Sequence, residues 1–370
     1  MISKENGSDK QKNNLQAASK KNISFFETYL TVFVLLCMFL GVLIGRFLPI
    51  LPEFLNKFEV FSVNIPIGIL IWIMIYPMML KIDFTSVKKV GKNPKGLFLT
   101  WVVNWLIKPF TMFGIASLFF LVIFKTVIPL DLANDYLAGA IILGAAPCTA
   151  MVFVWSSLTK GNPAYTLVQV ATNDLIILIL FVPIVGILLG VGGISVPWGT
   201  LFLSVFLFVV IPLVAASLTR YYLIKKKGLE YYNSVFIPKF SKITISGLLL
   251  TLILIFSLQS NLIINNPLHI VLISVPLIIQ TFLIFFIGYS GAKVLKLPHD
   301  VGAPAGMIGA SNFFELAVAV ALALFPLNPG VALATIVGVL VEVPVMLFLV
   351  KIANKTKHWF KAKSFDGLEA

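Results

Sequence analysis

Charge is what this 370-residue chain has least of: Asp, Glu, Lys and Arg together make up 12% of it. A soluble domain carries about 25%. Too few charges remain to cover a water-facing surface, so a set of ordinary soluble domains is excluded. Cysteine is nearly absent, and both residues, Cys37 and Cys148, lie inside apolar stretches, which excludes a disulfide framework. The three histidines, His269, His299 and His358, sit at span ends or in a tail without metal-ligand spacing. No Walker motif and no Ser/His/Asp arrangement is present, so neither an ATP site nor a catalytic residue is assigned, and no cofactor is expected. What the chain does have is 59% hydrophobic residues, 32 Phe and a mean hydropathy of +1.00. This is the composition of an all-α polytopic membrane protein.

A span needs about 20 mostly apolar residues. Ten candidates follow, at roughly 25–48, 60–81, 95–124, 135–158, 163–191, 197–220, 237–259, 268–294, 300–325 and 329–352. Pro109, Pro147, Pro183 and Pro276 fall inside them. Assigning the 28 Lys and Arg residues to loops tests the count. Twenty-four fall on the side of the two termini, Arg46, Lys57 and Lys125 on the other, and Lys108 within the third span. An eight-to-one bias obeys the positive-inside rule and places both termini in the cytoplasm of a multi-pass cell-membrane protein. The net charge of +13 is therefore topology, and no nucleic-acid partner is expected. No cleavable signal peptide is visible. Residues 1–24 read as a disordered cytoplasmic tail, 25–193 as a first five-helix repeat, 194–353 as a second, inverted one, and 354–370 as a cytoplasmic tail.

The repeat rests on residues 143–154, LGAAPCTAMVFV, which align without gaps on 308–319, IGASNFFELAVA, at an offset of 165. Asn162-Pro163 matches Asn328-Pro329 one residue further apart, each opening the next span. The two copies occupy the fourth and ninth spans, five helices apart. An odd number of helices reverses direction, so the copies run antiparallel, as in secondary transporters with inverted repeats. Both contain poor helix formers: Gly144, Pro147 and Thr149 in one, and Gly302, Pro304, Gly306, Gly309, Ser311 and Asn312 in the other. Broken helices 4 and 9, crossing at mid-membrane, are the expectation. The alternative is a pair of kinks without a site.

Ionisable groups lie deep in these spans. At 1.5 Å per residue, Cys148 and Asp174 are about 18 Å from a helix end and Lys108 about 20 Å. Glu315 and Glu342 fall in the same middle zone. Such groups cost roughly 2.5–3.5 kcal/mol at the bilayer centre and mark function by default. Cys148 alone is either a small apolar filler or, straight after Pro147, a ligand in the break. Lys108 either snorkels or serves as counter-ion to Glu315, Glu342 or Asp174. Asp174, after Asn173, caps or pairs within the bundle unless it joins the site, and Glu342 pairs with Lys108 unless it does. Asn104, Thr149, Asn173 and Asn312 are supporting polar groups; Cys37, Gln280 and Met151 read as packing.

The run GAAPCTAMVFVWSSLTKGNPAYTLVQVATND (144–174), with GASNFFELAVAVA (309–321), resembles the arsenite efflux permeases of the arsenical-resistance family. IYPMMLKIDF (75–84), NWLIKPF (104–110) and VGVLVEVPVML (337–347) are similar to the same family, within the bile acid/arsenite/riboflavin transporter superfamily. The likeness extends from about residue 25 to 352. It implies ten helices in two inverted repeats, with helices 1, 2, 6 and 7 as a panel and the others as a core. It puts the family's essential cysteine on Cys148 and its essential glutamate on Glu315. The implied activity is export of arsenite, coupled to proton entry and conferring arsenical resistance. Cys148 and Glu315 are then read as substrate-binding, with arsenic as a metalloid substrate on Cys148, and Glu315 also as the proton carrier, since desolvation favours its protonated form. A single thiol suits a carrier: trivalent arsenic is soft and favours sulfur, and two cysteines cannot form a three-thiolate trap. Without an ATP site, uphill transport draws on an ion gradient or on a separate cytoplasmic ATPase; the residues do not choose between them. A sodium-coupled organic-anion symporter of the bile acid type on the same fold is the alternative.

Overall fold

Backbone polar groups in lipid must be satisfied within their own segment, so an apolar chain of this kind folds almost wholly into helix. The computed structural model describes residues 30–48, 59–60, 63–80, 82, 94–149, 151–265 and 267–360. The expected tail at 1–24 lies outside them, as do residues 361–370. In chain order the helices are α1 Leu30–Phe47, α2 Ile65–Met79, α3 Lys95–Ile123, α4 Leu130–Gly144, α5 Val152–Leu158, α6 Pro163–Val191 and α7 Trp198–Val205. They continue with α8 Ile211–Tyr231, α9 Ile237–Leu258, α10 Ser260–Asn265, α11 Pro267–Val294, α12 His299–Ala310, α13 Phe314–Leu324 and α14 Pro329–Lys355. Among the described residues, five stretches are long and apolar enough to cross a membrane: Lys95–Ile123, Pro163–Val191, Trp198–Phe240, Pro267–Val294 and Pro329–Lys355. The chain is nearly all helix; a ladder of two-residue strands, Glu59–Val60 with Val63–Asn64, precedes α2.

Proline shapes these helices in a regular way. Its ring clashes with the carbonyl four residues back and it donates no hydrogen bond. Three wide π turns, Val102–Ile107, Phe206–Val210 and Tyr232–Phe236, each end just before an X-Pro pair: Lys108-Pro109, Ile211-Pro212 and Ile237-Pro238. The wider turn absorbs the missing bond, and helix resumes with proline in its first turn, where a donor is not required. The first of these turns carries Asn104 and opens directly onto Lys108.

Residues 221–236 read from sequence as a loop between two spans. They are helical instead, and the reversal is concentrated at Gly228, whose φ of +83° is left-handed and favours glycine. Arg220 lies over the ring of Tyr232 at 5.3 Å, a distance that twelve residues of straight helix, about 18 Å, would forbid. The chain continues in order beyond α14. A short 3-10 turn, Lys357–Trp359, follows α14, and Phe360 packs on Tyr289 and His299 with ring centroids 4.9 and 5.5 Å away. This part of the expected tail is docked.

The helices pack in two groups. In one, α9 lies against α1 and α2, and α8 against α2; in the other, α11 packs on α12 and α14, and α14 on α4. The groups meet where α13 touches α2 and α7.

Candidate functional site at a helix crossover

Both interruptions expected from the repeat are present, and they meet. α4 stops at Gly144 and α5 starts at Val152; α12 stops at Ala310 and α13 starts at Phe314. Gly302, Pro304, Gly306 and Gly309 do not break α12, which runs through all four. Phe313 N–H donates to the Ala146 carbonyl at 2.8 Å, and Cys148 N–H to the Ser311 carbonyl at 3.3 Å. Pro147 and Asn312 face each other between them as an antiparallel bridge. The offset of 165 turns 146 into 311, 147 into 312 and 148 into 313, so it exchanges the two hydrogen bonds and pairs Pro147 with its own counterpart. Each break thus satisfies orphan backbone groups of the other, which burial makes obligatory.

The ends of these segments repeat the pattern. Asn162 N–H donates to the Asp300 carbonyl at 2.7 Å, and Asn328 Nδ2 to Asp135 Oδ1 at 2.9 Å. Asp135 and Asp300 are 165 residues apart, Asn162 and Asn328 166. The matched glycines do similar work: a Cβ on Gly144 would meet Met112, and one on Gly309 would meet Val103, both on α3.

Side chains break the symmetry. Lys108 is buried, 1% exposed, and its Nζ donates to the Ser311 carbonyl at 2.6 Å. Ser311 Oγ donates to Glu342 Oε1, and Asn312 N–H to Glu342 Oε2 at 3.2 Å. An ammonium thus sits on the C-cap residue of α12, and a carboxylate on the backbone that leads into α13, each at the helix end whose dipole favours it. Lys108 interacts electrostatically with both Glu342 and Cys148. Gln280, read from sequence as packing, does more: its Nε2 donates to the Lys108 carbonyl at 3.0 Å and to Thr111 Oγ1 at 2.9 Å. Ser311, the hub of this arrangement, was not singled out as a site residue. The available signal was that it is the hydroxyl counterpart of Ala146.

Cys148, fully buried, packs among Leu97, Val152, Val168 and Ile308, and Thr149 is buried beside it. Glu315, 3% exposed in the first turn of α13, lines a small cavity of about 10 Å³ with Ile71 of α2, Thr251 and Ile255 of α9 and Ile336 of α14. Glu315 therefore looks across to the other helix group. None of the described cavities is lined by both residues. Asn173 Oδ1 accepts from Trp105 Nε1 at 3.1 Å, beside a matching bond from Trp101 Nε1 to Thr172 at 3.0 Å. Asp174 follows it in α6, 1% exposed. Several of these groups keep buried atoms with no hydrogen-bond partner among the described residues: both ends of Asn104, Nδ2 of Asn173, Oδ1 of Asp174 and Asn312, Oε1 of Gln280 and Oε2 of Glu315. Among the described residues no His, Cys, Asp or Glu cluster has the form of a resident metal site.

Comparison with known proteins places this crossover in a family. The profile described as the Sodium Bile acid symporter family matches residues 68–266. The Arsenical-resistance protein Acr3 of Alkaliphilus metalliredigens is 64% identical over 340 residues, 92% of this chain and 95% of that protein. An uncharacterized transporter of Synechocystis, slr0944, is 48% identical over 91% of each chain. Acr3 of Corynebacterium glutamicum is 32% identical over 90% of each. Matched over more than half its length by this profile and over nine-tenths by these relatives, the chain belongs to the sodium bile acid symporter family, among its Acr3 arsenical-resistance members, and is a membrane transporter rather than an enzyme.

Proposed function

We propose that this carrier exports arsenite from the cytoplasm across the cell membrane by exchange for protons, and so confers arsenical resistance. Ten membrane-spanning helices in two inverted five-helix repeats, 25–193 and 194–353, would form it, with both termini cytoplasmic. α1, α2 and α7–α9 would act as a panel against which a core carrying the crossover moves. The observation that carries the reading is the exchanged pair of hydrogen bonds, Phe313 to Ala146 and Cys148 to Ser311, which sets a thiol-bearing residue at the pseudo-twofold point.

Arsenous acid is neutral, and its arsenic centre prefers sulfur to oxygen. Cys148 supplies one sulfur, enough to select arsenic and too little to trap it. Glu315 carries the proton: its Oε2 is buried without a partner among the described residues, at the seam between the two helix groups. Motion of the core against the panel would open that seam to alternate sides. Each proton moving inward contributes about 2.3 kcal/mol per 100 mV, enough to drive a neutral solute outward. Lys108, Glu342, Ser311 and Asn312 hold the break, and Asn104, Thr149, Asn173 and Asp174 support it with buried polar groups.

Everted membrane vesicles test this. Wild type accumulates arsenite when an inward-acid gradient is imposed; Cys148→Ser loses arsenite uptake, and Glu315→Gln loses its dependence on the pH gradient. Undiminished, proton-dependent uptake by either variant would overturn that residue's role. Uptake driven by sodium and indifferent to pH would favour the sodium-coupled alternative.

A further inference from the structure

The family description names sodium, yet this chain brings its own cation to the crossover. Lys108 is buried at the point where the third helix resumes after a π turn, and its backbone carbonyl is tied down by Gln280. Its ammonium reaches the Ser311 carbonyl, at the negative end of the α12 dipole. Glu342 holds the same two-residue break by the Ser311 hydroxyl and the Asn312 N–H. Peptide carbonyls and carboxylates are the ligands hard cations take. An ammonium, with three donors and no acceptor, addresses the same oxygens.

We infer that Lys108 is a tethered substitute for a bound monovalent cation: its ammonium neutralises Glu342 and the Ser311 carbonyl, so that the crossover needs no sodium. Lys108 is then a positioning residue that sets which ion the carrier depends on. The inference rests on reading the crossover as the working site, but not on arsenite as the cargo. Removing the ammonium leaves a buried carboxylate and a helix C-terminus facing each other's break without a counter-charge, and a small cation of the medium takes its place.

Purified protein in detergent gives a readout independent of transport. The midpoint of thermal unfolding is compared in sodium chloride and choline chloride at equal ionic strength, since choline is too bulky for the vacated position. Wild type and Lys108→Arg unfold at the same temperature in both salts. Lys108→Ala unfolds below wild type in choline and regains at least about 2 °C in sodium, with a saturating concentration dependence, because a ligand bound only to the folded state stabilises it by mass action. Lys108→Gln, which keeps the volume filled, covers the case in which Lys108→Ala cannot be recovered in any salt. Equal unfolding of the neutral variants in both salts overturns the inference, as does a wild type stabilised by sodium. Arsenite flux through the wild type, measured alongside, separates the two readings: a wild type that does not transport arsenite but keeps the salt pattern leaves the tethered cation standing and removes the cargo.

Discussion

The two interruptions share one backbone design and differ in everything attached to it. Through Ala146, Pro147 and Cys148 the first break is made by a proline, which denies the helix a donor. Through Ser311, Asn312 and Phe313 the second is made by side chains: Lys108 on a carbonyl, Glu342 on a hydroxyl and an N–H. The two breaks thus share one exchange of backbone hydrogen bonds while dividing labour, one presenting a thiol and the other anchoring the crossing by charge. Perturbing the anchored break should therefore cost far more stability than perturbing the proline one.

The largest effect is expected at Glu342. Glu342→Ala leaves two buried donors, the Ser311 hydroxyl and the Asn312 N–H, without their acceptor, a loss of about 1–3 kcal/mol for each, and removes the negative charge that faces the Lys108 ammonium across Ser311. Thermal unfolding in detergent should show it as the most destabilised single variant of the crossover. Restoring Lys108→Met in the same chain should recover much of the loss, because an apolar pair avoids the unpaired charge. A Glu342→Ala protein as stable as wild type would erase the asymmetry between the breaks.

Pro147→Ala belongs to the next scale down. The bridge to Asn312 is made by Ala146 and Cys148 rather than by residue 147 itself, so no hydrogen bond is lost. What changes is the freedom of the unfolded chain, worth about 0.4–1 kcal/mol. A measured loss comparable to that of Glu342→Ala would show that the proline, not the charges, holds the crossing.

Much of this scaffold was legible in the sequence for a physical reason. A carrier's break must interrupt a helix, and Pro147 and the Asn162-Pro163 and Asn328-Pro329 pairs announce interruption and restart. Lys108 and Glu342 stood out because charge is costly at the depth they occupy in an apolar span. Less visible was what neutral residues do. Poor helix formers from Gly302 to Asn312 marked a break in this span without placing it; the glycines and Pro304 stay helical, packed on α3 and α11, and only Ser311–Phe313 is open. Ser311 and Gln280 carry no charge and no periodicity, so their partners emerge only when distant helices meet. The direction of Glu315 could not be read either, because helical spacing fixes the face a residue occupies but not which neighbour that face meets.

The smallest expected effect tests whether the twofold extends to the ends of the segments. Asn162 meets Asp300 through its backbone N–H, while its side chain caps α6 by accepting from Tyr165 N–H at 3.0 Å. Asn328 meets Asp135 through its side chain, in an exposed position, and caps nothing. The contacts are equivalent in place but not in chemistry. Asn162→Ala keeps the contact and loses a cap worth about 1 kcal/mol. Asn328→Ala loses the contact itself, a solvent-exposed hydrogen bond to the Asp135 carboxylate, worth about 0.5 kcal/mol once screened. Thermal unfolding of the two variants should separate them in that order, and the double variant should show the sum, since sites at opposite ends of the segments share no partner. Coupling between them beyond about 0.5 kcal/mol would mean that the two ends move as one unit through the crossover.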